Sequence, residues 1–222
     1  MGISERRERE KNERRMAILA CAKELILAEG VEKVSMEDIA SKAELSKATV
    51  YLYFSGKDAL LNEICEESAR AFVELFKAYW GTSLTGLEAM KIFWRSYIEM
   101  YGNSDDMIIV FQVRNFLNSW LPVVSPGEQN KSPYVDAILE AVKTIIDRCK
   151  TDGVFDPNLD SMAATRLLLS MFSVIVERAA RIPKEIRKSP VVLNEMSNAF
   201  QIILKGFAKE GIDRSCLNIT GV

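Results

Sequence analysis

Between Ser35 and Phe54 the chain starts a short helix twice, with a tight four-residue turn between the two starts. Ser35 stands before Met36-Glu37-Asp38, a hydroxyl N-cap with an acid three residues on, which predicts a helix through Ala43. Ser46 is the second N-cap, for a helix from Lys47 to Phe54, and Ala43-Glu44-Leu45-Ser46 is the turn. Two short helices so joined fit a helix-turn-helix. Ile39, Ala40, Leu45 and Val50 are spaced to pack the pair together, which puts Lys47, Ala48, Thr49, Tyr51, Leu52 and Tyr53 on or near outward faces. A cation, hydroxyls and phenols on a capped stub suit phosphates and a DNA groove. The same periodicity also fits a small helical hairpin packed on a neighbour.

The surrounding chain reads as helical throughout, so the fold class is all-α. A first helix over about residues 9–29 carries Ile18, Leu19, Ala22, Leu25 and Ile26 on one stripe and stops at Gly30. Ser55-Gly56-Lys57-Asp58 opens a long helix holding Leu60, Leu61, Ile64, Phe72 and Phe76. Further helices are expected over Leu87–Tyr101, Asp105–Ser119 and Tyr134–Cys149. Another follows Asp156-Pro157 and runs to Ala180, with a loop from Pro122 to Pro133. A final helix has Leu193, Met196, Phe200, Ile203 and Phe207 at steps of 3, 4, 3 and 4. Two domains are expected: residues 1–57, three helices including the helix-turn-helix, and a larger helical body over 58–222.

What the composition lacks narrows the function. The 222 residues contain no His, which removes His-based triads, His-ligated metals and His proton relays. No phosphate-cradling glycine loop or clustered metal-ligand set is present, so an enzyme is disfavoured and neither metal nor cofactor is expected. Cys21, Cys65, Cys149 and Cys216 are widely spaced; they read as core thiols of a protein in the reducing cytoplasm. The apolar run Leu167–Val176 is too short to span a bilayer, and the charge-dense N-terminus is not a signal peptide, so no membrane partner is expected.

The residues Ser35-Met36-Glu37-Asp38-Ile39-Ala40, Ala43 to Phe54 with its Tyr51-Leu52-Tyr53-Phe54, and Lys57-Asp58-Ala59-Leu60-Leu61 resemble the N-terminal domain of the tetracycline-repressor (TetR) family. The turn departs from the family pattern at Glu44, where Gly is usual. The resemblance implies a homodimeric regulator of transcription bound to double-stranded DNA. Most often such a protein is a repressor that a small molecule releases from a near-palindromic operator. It implies that Lys47, Thr49, Tyr51, Leu52 and Tyr53 face the major groove, with Ser46 capping their helix. Ser35 and Met36 would meet a phosphate through backbone N–H groups, and Lys57 would reach the backbone from the other side.

The net charge is −2, with 11 basic and 10 acidic residues in 1–57. Residues 5–15 hold six cations and four anions, which fits either a DNA-tracking arm or a salt-bridge-laced helical turn, for instance Glu10 with Arg14. In the body, the apolar faces of the last two long helices fit core, or a four-helix dimer interface built on Leu168, Phe172, Ile175, Met196, Phe200, Ile203 and Phe207. Aromatic side chains concentrate between 72 and 120. Phe76, Trp80, Phe93, Trp94, Tyr97, Tyr101, Met107, Phe111, Arg114, Trp120 and Phe172 fit a helical core, or the wall of a cavity for a small apolar or aromatic effector. The competing reading is a helical carrier or enzyme in which the helix-turn-helix is incidental.

Overall fold

The computed structural model of the protein describes residues 3–79, 84–117 and 133–218. Trp80, Gly81, Asn118, Trp120 and the loop expected from Pro122 onward lie outside the described residues. The all-α expectation holds. The helices are α1 (Ile3–Glu29), α2 (Met36–Lys42), α3 (Lys47–Tyr53), α4 (Lys57–Tyr79), α5 (Gly86–Asn103), α6 (Asp106–Phe116), α7 (Pro133–Thr151), α8 (Ser161–Ala180), α9 (Lys184–Arg187) and α10 (Pro190–Phe207). A 3₁₀ turn, Arg214–Leu217, follows. That turn and the four-residue α9 carry too little apolar periodicity to be seen in the sequence. α1 starts earlier than its apolar stripe because its first turns are held by the i,i+4 pairs Arg6–Glu10 and Arg9–Glu13. α8 starts later than expected: Asp156 accepts from the Asn158 amide in a turn, and Asp160 caps the helix through the Met162 and Ala163 amides.

The chain divides into two compact units, Met1–Ser68 with Ile109–Trp120, and Ala69–Ile108 with Leu121–Val222. The first is larger than the 1–57 segment that the motif suggests. Its single core takes Ile18, Leu19, Ala22 and Ile26 from α1, Met36, Ile39 and Ala40 from α2, and Val50 from α3. The same core takes Leu60, Leu61 and Ile64 from α4 and Ile109 and Val113 from α6. Each fully buried Ile or Leu is worth about 1.5–3 kcal/mol. Removing α4's first two turns would therefore strip apolar cover that α1–α3 lack. α1 ends where its stripe ends, at Gly30 with φ +87°, whose amide donates to the Ile26 carbonyl.

In the second unit α7 packs between α5 and α8, and α10 lies on α8. The end of α10 is pinned by a two-bond bridge, Asp156 N–H to the Phe207 carbonyl and Lys209 N–H to the Val154 carbonyl. α5 begins against α7 so closely that a Cβ on Gly86 would sit 2.3 Å from the Cys149 backbone nitrogen. The Gly86 amide donates to Asp152, at the far end of α7, at 2.7 Å. Because the obstacle is backbone, no side-chain rotation relieves it. Gly86→Ala should therefore cost about 2–3 kcal/mol, read as a lowered urea midpoint with unchanged m-value. An unchanged midpoint would mean that α5 and α7 can part freely.

Candidate nucleic-acid interface

Sequence-local chemistry fixes α2 and α3. The Ser35 hydroxyl accepts from the Asp38 amide while the Asp38 carboxylate takes the Ser35 amide at 2.8 Å, a reciprocal capping box. The Ser35 hydroxyl also donates to the Asp38 carboxylate, and this bond first, then that from the Ser35 amide, holds the Asp38 pKa below its ordinary value. α2 closes through paired bonds, Leu45 N–H to the Ala40 carbonyl and Glu44 N–H to the Ser41 carbonyl. That closure puts Glu44 at φ +55°, the conformation for which Gly is suited. Ser46 then caps α3, accepting from the Thr49 amide at 3.0 Å and sharing a hydrogen bond with the Thr49 hydroxyl at 2.8 Å.

α3 is thereby divided into two faces. Val50 is fully buried and Phe54 nearly so, while Lys47, Ala48, Tyr51 and Leu52 are exposed. Leu52 is 83% exposed, a large apolar side chain kept in water by a helix whose other face is committed to the core. Thr49 is half-buried beside its cap. Lys47 forms an ion pair with Glu37 of α2, and that hydrogen bond raises the ammonium pKa. Glu37 thus competes with any phosphate for Lys47, a role the sequence spacing of ten residues does not announce.

The packing bears on three of the expected contacts, and for Met36 it agrees with a contact made through the backbone N–H. The Met36 side chain is buried in the core, so Met36 can offer an outside partner only its backbone. Tyr53 is half-buried against the same core, and its carbonyl accepts from Arg15 at 3.2 Å. Lys57 turns inward: its ammonium donates to the Val31 carbonyl at 2.6 Å and lies 4.6 Å from the Phe116 ring centre. Arg15, passed over in the sequence, clamps the end of α3. It pairs with Glu63, whose hydrogen bond raises the guanidinium pKa, and stacks 4.7 Å from the Phe54 ring centre. Glu44→Gly should stabilise this unit by about 0.5–1 kcal/mol, the relief of the left-handed strain less the entropy of Gly. The check is thermal unfolding. A lower midpoint would mean that the Glu44 side chain supports the turn.

In the second unit, Phe93, Trp94, Tyr97 and Phe172 are buried and stack on one another or on Phe200. Trp94 lies 4.4 Å from Phe200 at 9° between planes, and Tyr97 is 4.4 Å from Phe172. Phe76 meets Phe93 edge-on, and Met107 is buried as well. Tyr97 donates to the Phe172 carbonyl at 3.0 Å and Tyr101 to the Arg187 carbonyl at 2.9 Å, and burial raises the pKa of both phenols. The Trp94 indole N–H is buried with no hydrogen-bond partner among the described residues. Phe111 and Arg114 are half-buried and belong to the first unit.

Of the residues expected at a dimer face, Leu168, Phe172, Met196, Phe200 and Phe207 are buried within their own chain, and Ile175 and Ile203 are half-buried. The strongest stripe of an amphipathic helix goes to its own core. The outward apolar residues are Leu167, Val174, Val191 and Ile202, from 50% to 75% exposed. Three of these stand one position before an expected residue. The thiols of Cys65 and Cys149 are pushed by burial up to about 11 and about 12, as inert core thiols are.

A capped helix-turn-helix with a solvent-facing second helix, followed by further helices, defines the class of helix-turn-helix DNA-binding regulators. Residues 18–64 match the family described as "Bacterial regulatory proteins, tetR family", so this N-terminal segment of the chain is similar to that family. It is 47% identical over 49 residues to the uncharacterized HTH-type transcriptional regulator YvdT of Bacillus subtilis (strain 168). That match covers 22% of this chain and 25% of the relative, so it spans a quarter of that protein's length. The fatty acid metabolism regulator protein of the same organism is 21% identical over 163 residues, 73% of this chain and 79% of the relative. The fold is similar to that of the fatty acid degradation regulator FadR from Bacillus halodurans, with a TM-score of 0.67 at 18% identity over 87% of this chain and 95% of that one.

Proposed function

We propose that the protein is a homodimeric, ligand-responsive repressor that leaves a near-palindromic operator when a small apolar or aromatic molecule binds its body. The observation that carries the DNA half of this reading is the exposed face of α3, Lys47, Ala48, Tyr51 and Leu52, held out by the burial of Val50. Lys47 and Tyr51 offer donors to phosphates and base edges, and Leu52 offers apolar contact to a thymine methyl. Lys47 reaches DNA when its pair with Glu37 opens. Ser35 and Met36 contribute through the start of α2, where the capping box leaves the Met36 and Glu37 amides for a phosphate.

One short helix reads few base pairs, so two heads are needed, one DNA turn apart. A second copy of this chain fits the outward side of α8 and α10, covering Leu167, Val174, Val191 and Ile202. Four such residues from each partner in one two-fold patch would leave water together. The two helices are tied at that surface by Arg178 and Glu195 at 3.1 Å. The sensing half rests on the aromatic cluster around Trp94, whose unpartnered indole N–H suits a ligand acceptor inside an otherwise apolar wall. The name of the Bacillus subtilis fatty acid metabolism regulator accords with an apolar effector. α4, continuous from Lys57 to Tyr79, belongs in part to each unit and is the covalent route by which effector and DNA select different conformers. Among the described residues no helix is long and apolar enough to cross a membrane.

Duplexes selected by the protein from fragmented genomic DNA test the reading. Their affinity should fall with salt at a log–log slope of about −0.9 per phosphate contacted. Tyr51→Phe should weaken binding by about three- to tenfold, the loss of one hydrogen bond. A flat salt dependence would overturn the DNA reading, and an unchanged affinity would remove Tyr51 from the interface. Val174→Asp with Ile202→Asp should yield monomers in sedimentation analysis; a dimer that persists would place the interface elsewhere.

A further inference from the structure

The charged start of α1 is unused by the reading above. Residues 4–14 of this helix are all exposed, and the core of the first unit begins only at Ile18. A helix that is polar all round is stable when it bridges to something or is laced by its own ion pairs. Lacing accounts for part of it: Arg6 pairs with Glu10 and Arg9 with Glu13. Arg7, Lys11 and Arg14 take part in neither pair. Their spacing of 4 and 3 puts them on one stripe; Glu5 and Glu13 fall off it, and Glu8 and Glu10 flank it, Glu10 being paired with Arg6. Continued by the same steps, the stripe passes through Ile18 and Ala22, both fully buried. The side of α1 that packs on the unit is therefore cationic once it runs past the core.

Where it runs past is set by Arg15, which holds the Tyr53 carbonyl and lies over Phe54 at the C-terminal end of α3. Ahead of Arg15, residues 4–14 extend about 15 Å. That is long enough to follow several phosphates of one strand beside the groove that α3 enters. We propose that the Arg7–Lys11–Arg14 stripe of α1 is a second DNA-contacting surface, one that grips the phosphate backbone flanking the recognition helix. The proposal rests on the DNA-binding reading above. The stripe adds affinity without sequence preference, because phosphates carry no base information. It also answers how a chain of net charge −2 approaches a polyanion: three cations share one face, and Glu10 and Glu13 are held in pairs with Arg6 and Arg9.

The test uses the full chain, a labelled duplex of about 30 bp and mixed sequence, and anisotropy titrations from about 50 to 200 mM salt. The triple variant Arg7→Ala, Lys11→Ala, Arg14→Ala should keep its helix content, since Ala is the best helix former. It should lose about tenfold or more in affinity and flatten the salt slope by about two to three. The control Arg6→Ala, Arg9→Ala, which removes the paired cations, should leave the slope nearly as it is. A triple variant that matches the parent, or a control that loses as much, overturns the stripe while the parent's own binding sustains the DNA reading. A parent chain that binds no duplex overturns both.

Discussion

The burial of Val50 is the constraint on which the reading surface depends. α3 is only seven residues long, well below the length at which a helix persists alone in water. It exists because Val50 is drawn into a core shared with Ile39, Ala40, Leu60, Leu61 and Ile64, and because its ends are closed. Ser46 satisfies the first turn, and Arg15 engages the last carbonyl and the Phe54 ring. With one face anchored and both ends held, Lys47, Tyr51 and Leu52 keep a fixed arrangement before any partner arrives. A pre-ordered surface loses less entropy on binding than a loop that must first fold.

Much of this was legible in the sequence because it is local. The caps at Ser35 and Ser46, the stop at Gly30 and the inward turn of Ile39, Ala40 and Val50 each follow from residue type and spacing over a few positions. The turn was legible too, including the departure at Glu44, where the backbone takes the left-handed conformation that Gly would adopt without strain. What the sequence did not disclose depends on partners far along the chain. Lys57 points to Val31 and Phe116, Arg15 to Tyr53 and Glu63, and nothing in the neighbourhood of either residue signals those contacts. Nor could the motif show that Ile109 and Val113 complete the core of the first unit.

α8 and α10 show the same division. Periodicity finds the broad apolar stripe, and the broad stripe went to the chain's own core, with Phe172 and Phe200 in the aromatic cluster around Trp94. A weaker stripe, Leu167, Val174, Val191 and Ile202, is what remains outward, and it has no distinctive pattern until burial is known. The aromatic concentration was visible in the sequence. That the rings stack on one another, leaving the Trp94 N–H without a partner among the described residues, is a three-dimensional fact.

The central claim is that the outward face of α3 meets DNA while the inward face stays on its core. Amide hydrogen exchange on the full chain, with and without a selected duplex at moderate salt, addresses it directly. The account predicts slowed exchange at the start of α2 and along Ser46–Phe54, with the core amides of α4 unchanged. Protection confined to other surfaces, with the α3 amides exchanging as fast as in the free protein, would contradict it.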